Sequence, residues 1–118
     1  MIEDWNDSEY CLMAVKQNPL NLEFVKNQTP KICLEAVKQN GYALKFVKEQ
    51  TPEICLETVK QNGFALKWVK NQTPLIIHYL KKYHRSLYEA FKKKNRIAIS
   101  ENEMKKFYNE NPHLVLTL

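Results

Sequence analysis

Three cysteines, Cys11, Cys33 and Cys55, stand 22 residues apart, and the residues around them recur at the same interval. From Cys33 the chain reads CLEAVKQNGYALKFVKEQTPEI and from Cys55 CLETVKQNGFALKWVKNQTPLI, while CLMAVKQNPLNLEFVKNQTPKI, from Cys11, is a looser copy. A unit this short cannot bury an apolar face alone. Its copies must stack on one another, and three of them meet the usual minimum for an array whose ends carry atypical caps. Most of the 118 residues are thereby committed to a one-dimensional stack.

Punctuation falls twice in each unit. Thr29, Thr51 and Thr73 precede Pro30, Pro52 and Pro74, and Thr as N-cap before Pro at the first helical position is a strong helix start. At the other break stand Asn40-Gly41 and Asn62-Gly63, which hold the only two glycines, and a left-handed Gly is expected to end the helix there. Asn18-Pro19 fills the same place in the first unit; Pro pushes its predecessor out of the helical region and then opens the next helix. Each unit is thus predicted to be a helix of about ten residues, a tight turn, a second helix of about eight and another tight turn. Such short helices are marginal in isolation, so stacking must hold them.

Ile54 with Thr58 and Cys55 with Val59 mark the stacking side of the first helix, and Ala43 and Leu44 with Val47 that of the second. Phe24, Phe46 and Trp68 form one aromatic column; Leu20, Tyr42 and Phe64 form another. Trp5 and Tyr10 are placed to seal one end. The fold class expected is all-α: a short right-handed α-solenoid of 22-residue helix-turn-helix repeats with a long C-terminal capping helix. One domain spans 1–118, with an N-terminal cap at 1–10, three repeats at 11–76 and non-repeat basic helices and tail at 77–118.

The repeat resembles the short tandem helical repeats grouped as the domain of unknown function 4116 family, which occur in proteins of bacteria, phages and giant viruses. The resemblance covers about residues 10–76 and rests on the shared CLExVKQNG and VKxQTP strings. It implies a helical repeat array and a phage or mobile-element origin. It supplies no activity, because the family carries no catalytic residues to transfer.

A fourth unit starts at Pro74, with Ile77 in the cysteine column, but its expected Gly position is Arg85, where nothing stops a helix. Apolar positions at 76, 77, 80, 83, 84, 87, 88 and 91 fall within a sector of roughly 140° on a helical wheel, which predicts one long helix over 75–95. Ser100 with Glu103 is a capping box opening a last helix to about residue 109, with Met104, Phe107 and Tyr108 on one face. Asn111-Pro112 ends it, and the apolar tail 113–118 is expected as a short packed strand or a clip over that helix.

Charge concentrates in the same region. Lys plus Arg number 18 against 13 Asp plus Glu; the two classes cancel over 1–74, so the whole excess of +5 lies in 75–118. Lys81, Lys82, Arg85, Lys92, Lys93 and Arg96, with Tyr79 among them, are the candidate partner-binding residues of the basic helix. Three readings of this stretch stay open: a solvated face, docking of an acidic protein or nucleoprotein, and direct RNA or DNA binding through phosphates. A membrane-surface helix is disfavoured because the apolar side is needed to cap the stack.

The repeated lysines Lys16, Lys38 and Lys60, and Lys26, Lys48 and Lys70, read first as cations complementing negative helix ends. Gln28, Gln50 and Gln72, with Asn18, Asn40 and Asn62, read as turn-bonding residues. Positions that differ between copies are recognition candidates: Met13/Glu35/Glu57, Glu23/Lys45/Lys67 and Lys31/Glu53/Leu75. Of these, Lys45 and Lys67 join the candidate site.

The cysteines, one per layer about a helix diameter apart, are too distant for a disulfide or a shared metal and read as small apolar core residues. His78 and His84 are six apart, the wrong spacing for a chelating pair, and two glycines cannot build a phosphate loop. No enzyme, cofactor, metal or small-molecule substrate is therefore expected. With no signal-like segment at the start, no run of 18 apolar residues and an odd cysteine count, a cytoplasmic protein is expected. The function expected is a non-enzymatic interaction module, in one concrete form a phage-type inhibitor of host defence that occludes a host protein or nucleoprotein complex; the alternative is nucleic-acid binding through the basic helix.

Overall fold

A computed structural model describes residues 3–115, all of whose regular elements are helical, with no strand among the described residues. Among the described residues seven α-helices occur in order: α1 (Ser8–Gln17), α2 (Pro30–Gln39), α3 (Pro52–Gln61), α4 (Pro74–Tyr83), α5 (Arg85–Lys93), α6 (Glu101–Glu110) and α7 (Pro112–Val115). Between the first four lie three 3-10 helices, Pro19–Phe24, Gly41–Phe46 and Gly63–Trp68.

The threonine caps form as the dipeptides predict. The hydroxyls of Thr29, Thr51 and Thr73 accept hydrogen bonds from the N–H groups of Ile32, Ile54 and Ile76 at 3.2, 3.2 and 3.4 Å. Asn18, Asn40 and Asn62 end α1, α2 and α3 in extended conformation, and their side chains accept from the N–H two residues on, at 3.1, 2.9 and 3.0 Å. One asparagine therefore closes one helix and opens the next. The second element of each unit is a six-residue 3-10 helix, shorter than the eight-residue helix expected. At this length a 3-10 helix needs tertiary support, which comes from the fully buried Leu22, Leu44 and Leu66 and from Val25, Val47 and Val69 at its end.

Neither glycine takes the left-handed conformation that the Asn-Gly pairs suggest. Gly41 and Gly63 are the first residues of their 3-10 helices, and what demands glycine is close approach. A Cβ on Gly41 would lie 3.0 Å from Asn62 Cβ, and one on Gly63 would lie 2.8 Å from His84 Cγ and 2.9 Å from Leu87 Cδ1.

Packing runs in two rows. α1 lies against α2, α2 against α3 and α3 against α4, while each 3-10 helix lies against the next and against the α-helices beside it. The molecule measures 53 × 27 × 19 Å and has a radius of gyration of 16.1 Å, against about 13.5 Å for a compact domain of this length. Cys11, Cys33, Cys55 and Ile77 lie buried in one column of the core. Burial pushes the Cys33 and Cys55 thiols up to about 11.

The glutamines tie neighbouring units together and reach further than their own turns. Gln50 Nε2 donates to the Trp68 carbonyl at 2.8 Å, and its Oε1 accepts from the Lys70 N–H at 2.9 Å. Gln28 makes the same pair of bonds to Phe46 and Lys48. Gln72 extends the pattern to the Arg96 carbonyl and the Ala98 N–H, at 2.9 and 2.7 Å. Lys26, Lys48 and Lys70 lie beyond the 3-10 helices, whose C-caps are Val25, Val47 and Val69. Lys48 Nζ instead donates to the Lys26 carbonyl one unit back.

The single long helix over 75–95 does not form. α4 ends at Tyr83, His84 leaves the helical region at φ −137° and ψ 56°, and α5 begins at Arg85. His84 stands 22 residues after Asn62 and keeps that residue's backbone bond, its N–H donating to the Leu80 carbonyl as Asn62 N–H does to Thr58, but its side chain differs: the ring Nε2 lies 3.0 Å from the Lys60 carbonyl at the end of α3. The bend brings Leu87, Tyr88 and Phe91 round to the core at the places of Ala65, Leu66 and Val69. Tyr83, counted in the apolar sector, is 52% exposed.

Ser100 caps α6 and shares its box with Glu103 as expected. Residues 112–115 form a helical turn rather than a strand, and 116–118 of the expected clip lie outside the described residues. Trp5 closes the other end against Tyr10 and Phe24, at ring distances of 5.1 and 5.4 Å.

Candidate macromolecular docking surface

The bend at His84 redistributes the cations that one helix would have lined up. Lys81 falls in the column of Val15, Val37 and Val59, a core column, and is half-buried. Its ammonium stands over the rings of Tyr88 and Tyr108, at 5.3 and 5.9 Å. Burial, with Arg85 and Lys92 nearby, lowers its pKa. Lys81 and Lys92 both line a cavity of about 420 Å³ floored by Ile97, Ile99 and Met104. Lys92 is held there by Glu101 at 3.2 Å, a hydrogen bond that raises its pKa.

Other members of the predicted group are dispersed. Arg85 Nε pairs with Glu89 one turn on, at 3.4 Å. Lys82 is exposed beside the Tyr83 ring, and Lys93 is exposed on α5. Tyr79 stacks on Tyr83, at 5.6 Å with 7° between ring planes, under the Lys60 ammonium at 4.4 Å.

A second cluster gathers where the third unit meets the end of α5. Lys67 and Arg96 surround a concavity of about 360 Å³ together with Lys94, over Phe64, Leu87 and Phe91. No carboxylate lines it among the described residues. The backbone holds it open: Gln72 grips the carbonyl of Arg96, and Asn95, at φ 57°, turns the chain out of α5. Lys94 and the apolar floor are absent from the sequence reading. The signal was there, since Leu87 and Phe91 stand 22 residues after Ala65 and Val69, and carrying the period through His84 locates them.

The two aromatic columns are not both stacking faces. Leu20, Tyr42 and Phe64 point outward, with Tyr42 50% and Phe64 58% exposed, and Phe24 is exposed as well. Phe46 and Trp68 are half-buried, and Tyr42 packs on Trp68 of the following unit at 4.6 Å. Lys45 and Lys67 are exposed, with their ammonium groups 5.0 and 4.7 Å from the ring centres of Phe46 and Trp68. Of the variable triads, Glu23/Lys45/Lys67 is exposed throughout.

His78 also occupies an apolar column, that of Leu12, Leu34 and Leu56, and is fully buried by α6. Its Nδ1 lies 3.0 Å from the Tyr108 hydroxyl, and its Nε2 has no partner among the described residues. Burial, then Lys82 and Lys81, lowers its pKa below 6.5. The unfolded chain therefore takes up this proton first, and stability should fall as pH drops below about 6.5. The urea midpoint measured between pH 7.5 and 5 should decline, and His78→Leu should flatten that decline.

Comparison with curated proteins finds no match, and neither does comparison with solved structures. Comparison with protein families finds one, narrower than the span of the resemblance: from the Thr29 cap to the Thr73 cap, residues 29–73 match the family described as Domain of unknown function (DUF4116).

Proposed function

We propose that this protein is a non-enzymatic docking module of the cytoplasm, built as a short right-handed solenoid, that engages a macromolecule with an anionic surface. The observation carrying this reading is the convergence of Lys67, Lys94 and Arg96 round Phe64 and Phe91 with no carboxylate in the lining among the described residues. Unpaired cations at the rim of an apolar recess steer an anionic partner and leave apolar contacts to hold it. Arg85 and Lys92, by contrast, are engaged by Glu89 and Glu101. A host protein or nucleoprotein complex occluded by such a module is the partner type that fits a phage or mobile-element origin.

Two charge-reversed variants test this at equal net charge. Lys67→Glu/Arg96→Glu should elute from an immobilised sulfated polyanion at clearly lower salt than Lys82→Glu/Arg85→Glu, with both melting near the parent because exposed charges contribute little to stability. Equal displacement of the two doubles would reject a localised site.

A further inference from the structure

Resting on that reading, we propose that the anionic partner is a single-stranded nucleic acid laid along the row of 3-10 helices, its bases stacking on Tyr42 and Phe64 and its phosphates meeting Lys45, Lys67, Lys94 and Arg96. Tyr42 and Phe64 occupy the same place in successive units and are half or more exposed, Tyr42 with one side packed on Trp68 and Phe64 without a ring partner among the described residues. A lysine three residues after each, Lys45 and Lys67, is exposed on the same 3-10 helix. Flat ring and cation thus alternate at the 22-residue interval, and the row runs into the Lys94–Arg96 recess, which Phe64 and Lys67 themselves line.

A surface that repeats its chemistry in one direction fits a polymer that does the same. Single-stranded nucleic acid alternates a flat base with an anion, and proteins that hold it combine a cationic track with stacking rings. Duplex nucleic acid offers the phosphates but hides the flat faces of its bases, so stacking selects the single strand. The row has a direction: Glu23 stands at the lysine position in the first unit, and Glu89, at the far end, is neutralised by Arg85.

Fluorescence anisotropy with three probes of one length tests the proposal: labelled oligothymidylate, the same oligomer without bases, and a polyglutamate peptide. Oligothymidylate should bind at least about tenfold more tightly than the abasic oligomer, and Phe64→Ala should remove much of that advantage, since one stacked base contributes about five- to 150-fold in affinity. Binding should also quench Trp68 fluorescence, read in a Trp5→Phe background, and Tyr42→Ala should weaken oligothymidylate binding in the same sense as Phe64→Ala. Phe64 is exposed, so circular dichroism of Phe64→Ala should match the parent. Equal affinity for base-bearing and abasic oligomers would overturn base stacking. Binding of polyglutamate in preference to either oligomer would overturn nucleic acid as the partner while leaving the anion-docking reading intact. Unaltered binding of all three probes by Lys67→Glu/Arg96→Glu would overturn both.

Discussion

Gln50→Leu is expected to destabilise the protein by about 1–3 kcal/mol, because the substitution strands the part-buried Trp68 carbonyl, whereas water can replace the acceptor at the exposed Lys70 N–H. The Trp68 carbonyl loses its donor and the Lys70 N–H its acceptor, both on the following unit. The amide fits both because it presents a donor and an acceptor side by side. Cys55 adds a weaker S–H contact to the same oxygen at 3.5 Å. Both bonds cross from one unit to the next, so the loss falls on the contact between neighbours, and cooperativity should suffer along with the midpoint. Gln50→Glu separates the two bonds. It keeps the acceptor for Lys70, turns a second oxygen toward the Trp68 carbonyl, and should regain stability as acid protonates the carboxylate. Gln39→Leu is the control, since Gln39 is exposed and bonds only to Glu35 on its own helix. Equal losses for Gln39→Leu and Gln50→Leu in urea titrations would show that the glutamines do not clamp the units.

Gly63→Val should cost about 1–3 kcal/mol, and more than Gly41→Val. With ordinary negative φ at both positions, a backbone-entropy argument alone would make a larger residue stabilising by about 0.4–1 kcal/mol. Sterics reverse the sign at Gly63. Its Cβ would enter the space of the His84 ring and Leu87, and the ring cannot retreat without giving up the Lys60 carbonyl at 3.0 Å. At Gly41 the neighbour is Asn62 at 3.0 Å, a tight but less crowded contact. Thermal melts of the two variants should rank in this order. If Gly63→Val melts with or above the parent, α4 and α5 are not joined by the bend at His84.

The repeat and its helix starts were legible from one sequence because they are local and redundant. A Thr-Pro pair fixes a cap within one turn, and the same pair occurs three times. The core columns followed too: Cys33, Ile54 and Val59 are all buried, and periodicity reports burial wherever one face repeats. The capping box at Ser100 belongs to the same class. Glutamine bonds that cross between units were only half legible, since composition marks Gln as a turn residue but not which turn it serves.

What the chain alone determined about this protein is thus its unit: a capped helix ended by asparagine, repeated until its apolar faces cover one another. What the tertiary structure decided is everything settled by a neighbour. Local pattern favours a continuous helix over 75–95, and nothing near Arg85 forbids one. The break at His84 is set instead by the carbonyl of Lys60 and the space beside Gly63, 20 or more residues away. The second element tightened to a 3-10 helix for a similar reason, as its six residues are held by burial of Leu44 and Leu66 against the α-helical row. The proposed docking surface depends on both outcomes. Its cations lie on different elements, and only the bend brings Lys94 and Arg96 to Lys67, because proximity across a stack is a property of packing that no helical wheel contains.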